Sequence, residues 1–216
     1  PQQTLAALDW YAARAKAAKD ALFMTFAFGM EPRFRGAYRD GSAPLRYALL
    51  DKLLASGIAK ARRAAAEAEM LALRKQVENR FTVGNLLATN RFDRWVREVL
   101  PGLNSNVRFI HTKFALIDPL GRDPVVISGS ANFSESSTTG NDENMLVIRG
   151  NRRVADIYLG EYMRLWSHYA FREWAAAQDT PEDTKFKFLD VGNTWWRSYF
   201  GKSARSRQRA YFSGVE

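Results

Sequence analysis

The amino-acid sequence predicts an α/β fold with a mixed central β-sheet flanked by helices. Short apolar runs suited to buried strands alternate with longer segments of helical periodicity. The 216 residues suffice to bury a core, and a content of 46% apolar and 25% charged residues is typical of a globular protein. Strands and helices that alternate in this way form layered domains.

The first fifty residues are expected to supply one helix and two strands. The helix begins after a Thr4 cap and ends near Asp20, because apolar side chains recur there at helical spacing. Residues 21–28 read as a buried strand. Residues 29–44 hold Gly, Pro and Arg and are expected to form a loop, and residues 46–50 form the second strand.

The clearest helix covers residues 57–80, which are rich in alanine and free of proline. Arg74 and Glu78 are spaced for an ion pair on its solvated face. A strand at 81–87 and a short helix at 91–100 are expected to follow.

Three further strands and a long helix complete the predicted domain. The strands cover residues 107–117, 124–130 and 144–149, and Asn151 is positioned to cap the helix. The helix carries a wide apolar stripe of Val154, Ile157, Tyr158, Tyr162, Leu165, Trp166 and Tyr169. We expect these side chains to pack in the core, and we assign residues 1–172 to the domain.

Residues 173–216 are expected to form a basic, aromatic-rich extension. Its cations are Lys185, Lys187, Arg197, Lys202, Arg205, Arg207 and Arg209. Its aromatic residues include Trp195, Trp196, Tyr199, Phe200, Tyr211 and Phe212. Two interpretations stay open: the segment grips phosphates and stacks bases, or its aromatic side chains pack onto the domain while the charges remain in water.

Composition excludes several classes of function. The chain has no cysteine, which excludes disulfides, thiolate metal sites and a thiol nucleophile. The two histidines, His111 and His168, are too few for a histidine-rich metal centre, so we expect neither a metal nor a cofactor. Since no signal peptide is visible and no apolar run is long enough to span a membrane, the sequence favours the cytoplasm.

The net charge of +9 and the pI near 9.9 favour a polyanionic partner, either nucleic acid or an anionic membrane surface. Within this basic chain, His111 and Lys113 are two residues apart, so both would leave the same face of a strand. The next strand ends in Ser130 and Asn132. The sequence therefore predicts an imidazole, an ammonium, a hydroxyl and an amide at one place, which is the inventory needed to hold and attack a phosphate.

The pattern His111-x-Lys113-x4-Asp118, Gly129-Ser130-x-Asn132 and then Glu143 resembles the signature of the phospholipase D superfamily, closest in character to its bacterial nucleases. The stretch between Asp118 and Gly129 is longer than in the family pattern. Its turn-forming residues predict a longer hairpin tip between the same two strands.

The resemblance implies a phospholipase D-like phosphodiesterase that works without metal through a covalent phosphohistidine. His111 would attack phosphorus. Lys113 and Asn132, with Ser130, would bind the non-bridging oxygens and offset the developing charge. Glu143 would accept a hydrogen bond from the far nitrogen of His111 and raise its basicity.

Asp118 belongs to the same motif and is therefore included with His111, Lys113, Asn132 and Glu143 as a candidate catalytic residue. It is seven residues from His111, an odd number, so on a regular strand it would face the opposite side. We expect Asp118 to support the site rather than to react.

The mechanism needs two such histidines, and His168 has no lysine two residues after it. Either two copies share one site about a two-fold axis, or a second motif lies in sequence absent here, which the start at Pro1 keeps open. We expect a homodimer that acts on nucleic acid. The alternatives are a hydrolase or transferase of anionic phospholipid, and a nucleic-acid-binding half-domain that is inactive on its own.

Overall fold

A mixed six-stranded sheet forms the centre of the protein, as the sequence predicts. The structure, a computed structural model, describes residues 4–54, 57–84, 109–177 and 192–214. Within them the strand order is β3-β2-β1-β4-β5-β6. The strands are β1 (Ala21–Phe26), β2 (Leu45–Leu50), β3 (Asn79–Val83), β4 (Phe114–Ile117), β5 (Val125–Gly129) and β6 (Met145–Arg149). β1, β2 and β3 are parallel, whereas β4, β5 and β6 are antiparallel to their neighbours.

Helices cover both faces of this sheet. They are α1 (Ala6–Lys16), α2 (Pro32–Asp40), α3 (Lys60–Lys75), α4 (Glu135–Gly140), α5 (Arg152–Ala177) and α6 (Ala204–Ser213). One apolar core contains residues of α1, α2 and α3, and the second contains residues of α5. Every residue of β1 and β2 is buried between them, which explains their continuous apolar runs.

The predicted loop at 29–44 is wrong, because α2 occupies most of it. Pro32 stands in the first turn, where its fixed φ and missing N–H suit a helix start. The Glu31 carboxylate accepts the Arg33 N–H at 2.7 Å and caps this end. Phe34 and Tyr38 are buried on the side of α2 that faces the core. Gly and Pro indicated a chain break, whereas here Pro marks the beginning of a helix.

Two predicted helix boundaries also need correction. α1 begins at Ala6 without the expected Thr4 cap: Leu5 holds the cap position and makes no side-chain cap hydrogen bond. α3 ends at Lys75 rather than at 80, and Asn79 already belongs to β3.

The expected Arg74–Glu78 pair is therefore not formed. Arg74 instead pairs with Glu173 of α5 at 2.7 Å, and Glu78 lies 3.3 Å from Arg207 of α6. These tertiary partners connect the ends of α3 and β3 to the helices of the other layer.

The region after β3 is described only in part. The predicted helix at 91–100 lies outside the described residues, as do 107 and 108 at the start of the predicted strand 107–117. The β4–β5 hairpin is confirmed: Ile117 pairs with Val125, so residues 118–124 form its long tip.

Asn151 caps α5 as predicted, since its side-chain oxygen accepts the Val154 N–H at 3.1 Å. Tyr162 and Trp166 of the predicted stripe are buried in the second core. Ile157 is the exception, because 63% of its surface is exposed.

Candidate active site

Of the predicted site residues, all but Asp118 lie at one end of the sheet. This end holds the last residues of β1, β2 and β5 and the first residues of β4 and β6. β4 begins at Phe114. His111 and Lys113 therefore precede the strand instead of lying within it, and other elements must hold their backbone in place.

Thr25 of β1 holds the backbone on the strand side of Lys113. The β1–β4 pairing ends at Met24 and Ala115. Beyond it, the buried Thr25 hydroxyl donates to the Thr112 carbonyl at 2.8 Å and accepts the Phe114 N–H at 3.1 Å. The Thr25 side chain thus makes hydrogen bonds to the backbone on both sides of Lys113, where backbone pairing between β1 and β4 has ended.

Asp51 holds the backbone on the other side of His111. This carboxylate directly follows β2 and is 2% exposed. Its Oδ1 accepts the N–H groups of Phe109 at 2.7 Å and of Ile110 at 2.9 Å. Sequence analysis missed Asp51. A carboxylate immediately after a buried parallel strand was the available signal, because ligands bind at the carboxyl ends of such strands.

The electrostatic surroundings of His111 favour its neutral form. The pKa of His111 is lowered, first by partial burial and then by the Lys113 ammonium, while the Asp51 carboxylate acts in the opposite direction. The Phe28 ring lies edge-on to the imidazole, with 6.4 Å between the ring centroids. A neutral imidazole has a free lone pair, which a nucleophile requires.

Lys113 is bent back over the segment that carries His111. Its Nζ donates to the His111 carbonyl oxygen at 2.6 Å. Burial lowers the pKa of Lys113, and the Glu143 carboxylate opposes that shift. The ammonium is thus close to both His111 and Glu143, where an incoming phosphate oxygen would find a positive charge.

Ser137 connects Asn132 to Glu143. The Asn132 N–H donates to the Ser137 hydroxyl at 3.0 Å, and that hydroxyl donates to Glu143 Oε1 at 2.8 Å. Ser137 is 2% exposed and lies in α4, which Ser134 caps. Sequence analysis missed Ser137; the Ser134 cap was the available signal, because it places Ser137 on the first turn of a helix.

Glu143 makes contacts other than those the resemblance implied. Hydrogen bonds from Ser130, Asn141 and Ser137 lower the pKa of Glu143. Among the contacts of the described residues, no hydrogen bond joins Glu143 to His111. Glu143 lies beside Lys113 instead, so in this structure it balances the ammonium.

Ser130 organises the chain at the end of β5. Its N–H donates to the Asn144 carbonyl at 3.0 Å, and its hydroxyl accepts the Asn144 N–H at 3.0 Å. The Asn132 amide oxygen is buried without a partner among the described residues. The Asn132 oxygen therefore keeps an unused hydrogen-bond acceptor beside Ser137 and Glu143.

Asp118, which the sequence grouped with the catalytic candidates, lies at the opposite end of β4. Lys113 and Asp118 are five residues apart, which is about 17 Å along an extended chain. Asp118 Oδ1 accepts the N–H groups of Lys19, Asp20 and Ala21 at 2.7–3.0 Å. The backbone of Asp118 is left-handed, with φ 49°, at the start of the hairpin tip. Its contacts are structural.

The C-terminal segment packs onto the domain in part, as one of the two interpretations predicts, whereas its binding of phosphates and bases stays a prediction. Tyr211 packs against the second core, and Arg207 pairs with Glu78. By contrast, the rings of Trp195, Trp196 and Phe200 are 46–57% exposed. The basic residues Lys185 and Lys187 lie outside the described residues. His168 is exposed on α5, in edge contact with Tyr169.

Neither a metal cluster nor a membrane span is found in the described part of the chain. Residues 4–54, 57–84, 109–177 and 192–214 contain no group of three or more His, Asp or Glu side chains placed to hold an ion. No helix within these ranges has an apolar stretch long enough to cross a bilayer.

The motif and its geometry agree with a match at the level of a protein family. Residues 62–166 match the family described as "Cardiolipin synthase, PLD-like domain". This stretch of the chain, which includes His111, Lys113, Asn132 and Glu143, is therefore similar to phospholipase D-like domains.

Individual proteins match over a short stretch of the chain or at low identity. The chain is 38% identical over 61 residues to the mitochondrial cardiolipin hydrolase of Xenopus tropicalis, a match that spans 28% of this chain and 27% of that protein. The structure of NucT from Helicobacter pylori has a TM-score of 0.49 at 13% identity, and the match spans 77% of this chain and 91% of NucT. Nuc from Salmonella typhimurium has the same TM-score at 17% identity, and the match spans 77% of this chain and 90% of Nuc.

Proposed function

We propose that the protein is a metal-independent nuclease in which His111 forms a covalent phosphohistidine with the substrate. The observation that carries this proposal is the convergence of His111, Lys113, Asn132 and Glu143 at one end of the sheet. The lowered pKa of His111 favours the form that attacks phosphorus. Lys113 and Asn132 would stabilise the charge on the non-bridging oxygens, and Ser137 would hold Asn132 and Glu143 in place.

Nucleic acid is the favoured substrate because of charge. The chain carries 32 basic against 23 acidic residues. A polyanion gains affinity at such a surface by releasing counterions. Anionic lipid is the second candidate. It is favoured by the exposed Trp195, Trp196 and Phe200 beside arginines, a composition that suits a membrane interface.

The proton for the leaving oxygen would come from the His111 of a second copy. An exposed apolar pair supports this: Leu146 of the edge strand β6 and Ile157 of α5 are each 63% exposed. Leu146 pairs with Ser128, whose hydroxyl is 3.1 Å from Tyr158 of α5, so Leu146 faces the α5 side of the sheet. Both residues lie towards the end of the sheet that holds His111, where two copies would have to meet in order to share one site.

One substrate experiment tests the chemistry. The pure chain is incubated in EDTA with DNA, RNA, cardiolipin vesicles and phosphatidylcholine vesicles. We expect nucleic acid to be cleaved, the activity to be lost in His111→Asn, and the activity to be kept in His168→Asn, the matched control. Cleavage that EDTA abolishes would contradict the mechanism. Turnover of cardiolipin without turnover of nucleic acid would establish the lipid alternative.

A second experiment tests the shared site. Light scattering should give the mass of a dimer for the parent chain and of a monomer for Leu146→Glu/Ile157→Glu, with loss of activity. Leu71→Glu on α3, another exposed apolar position, is the control and should leave both unchanged. A parent chain that is monomeric and fully active would exclude the shared site.

A further inference from the structure

A second concave surface lies at the end of the sheet opposite to His111. It is a cleft of about 710 Å³ between α1, the tip of the β4–β5 hairpin and the last residues of β6. The side chains that matter for its chemistry are Trp10, Arg14, Lys19, Arg122, Arg149 and Arg152. Thr25, Asp51 and Ser137, which organise the candidate active site, do not line it.

Positive charge dominates this cleft. Five cations line it against the three carboxylates of Asp20, Asp118 and Asp123. The Asp118 carboxylate already accepts backbone N–H groups, and Asp123 pairs with Arg149 at 2.7 Å. Among the described residues, no carboxylate pairs with the other four cations. Their charges are therefore available to a ligand.

An aromatic ring stands beside these cations. Trp10 is 40% exposed, and the Arg14 guanidinium lies 5.1 Å from the centroid of its ring. A cationic groove with an exposed aromatic side chain binds phosphates electrostatically and offers a surface on which a base stacks. The cleft therefore suits a nucleotide chain better than an isolated phosphate.

We propose that this cleft binds the phosphodiester backbone of a nucleic-acid strand, another part of which lies at the His111 site. The two places are about 17 Å apart along β4, so one strand of several nucleotides can lie at both. The edge strand β6 connects them. Met145 lies at the His111 end, and Val147 and Arg149, on the same face as Met145, line the cleft. The inference rests on the proposed nucleic-acid substrate, but not on its cleavage.

The test measures binding separately from cleavage. The chain carrying His111→Asn is titrated against fluorescent single-stranded DNA of about 20 and about 4 nucleotides, at several salt concentrations. The cleft variant adds Arg122→Glu and Arg152→Glu. The matched control adds Arg62→Glu and Arg63→Glu, exposed residues of α3 with the same change in net charge. Circular dichroism confirms that each variant is folded.

We expect the cleft variant to bind the long strand at least about tenfold more weakly than the control does, with a salt dependence reduced by about 1.4 for two lost phosphate contacts. The ratio of affinities for the long and the short strand should also be smaller for the cleft variant than for the parent. Equal affinities for the two variants would overturn the inference, and so would binding of phosphatidylglycerol vesicles without binding of DNA.

The two proposals fail in different ways. Binding that depends on the cleft, in a chain that cleaves no nucleic acid, would contradict the proposed nuclease and keep the inference. Cleavage by the parent chain, together with affinities that the cleft variant leaves unchanged, would contradict the inference and keep the nuclease.

Discussion

The two ends of β4 carry residues of one sequence motif in opposite environments. At the first end, His111 is exposed and Lys113 partly exposed, and their backbone is held by Thr25 and Asp51 from neighbouring strands. At the other end, the Asp118 carboxylate is occupied by three N–H groups of the chain that enters β1. At the first end the backbone is fixed and the His111 and Lys113 side chains stay accessible, whereas at the other end the Asp118 side chain itself fixes the structure.

The largest expected effect is on activity at the first end. His111→Asn removes the nucleophile and should lower kcat by at least about a thousandfold. Because the imidazole is exposed and has no structural hydrogen bond among the described contacts, the free energy of unfolding should change little. Single-turnover cleavage and urea denaturation measure the two quantities. Unfolding of this variant would contradict the division between the two ends.

Asp118→Ala should show the reverse pattern. It leaves the N–H groups of Lys19, Asp20 and Ala21 without their acceptor, and we expect a loss of about 2–3 kcal/mol in the free energy of unfolding. The variant should keep measurable cleavage at a temperature where it is folded. A loss of activity as complete as that of His111→Asn, in a fully folded protein, would make Asp118 a catalytic residue after all.

Ser137→Ala should give a smaller effect on both quantities. It removes the hydroxyl between Asn132 and Glu143 and leaves a partly buried N–H unpaired, at a cost of about 1–2 kcal/mol in stability. Activity should fall more than it does in Ser136→Ala, whose hydroxyl is exposed. Equal kinetics for the two variants would show that Ser137 does not position the site.

The smallest effect is a change in the pKa of His111. Asp51→Asn keeps an oxygen that accepts the same N–H groups but removes the negative charge, so the pKa of His111 should fall further below its usual value. Lys113→Met removes a positive charge, so the pKa should rise. Since His111 must be neutral to attack, the acid limb of kcat/KM for Asp51→Asn should move to lower pH.

Carbon-13 NMR of labelled histidine measures these shifts directly. The spectrum contains two imidazole signals, and His168→Gln assigns them. Shifts in the same direction for Asp51→Asn and Lys113→Met would contradict the electrostatic account. Asp51→Ala, which also removes the acceptor, should lower activity more than Asp51→Asn does.

The sequence predicted those features that depend on local pattern. Apolar runs predicted β1, β2 and the four strands after them, although the bounds of β3 and β4 differ from the prediction, and the spacing of His111 and Lys113 indicated the candidate site. The structural role expected for Asp118 agrees with its contacts, but for a different reason. His111 precedes β4, so the alternation of side chains along a strand does not decide which way His111 points. Asp118 is separated from His111 because it follows the other end of β4.

Features that depend on tertiary contacts could not be predicted in this way. Asp51 is about sixty positions from His111 in the chain, and Thr25 is farther still, so no local spacing connects them. Pro32 indicates either a break or a helix start, and burial of Phe34 and Tyr38 decides between them. The basic cleft arises because α1, a hairpin tip and β6 meet, although each contributes few cations alone.

The most direct test of the account is to trap the covalent intermediate. The parent chain is mixed with an oligonucleotide in EDTA, quenched within one turnover, digested and analysed by mass spectrometry. The account predicts a nucleotide joined through phosphorus to a nitrogen of His111, and no adduct in His111→Asn. An adduct on another residue, or burst-free cleavage without an adduct, would contradict His111 as the nucleophile.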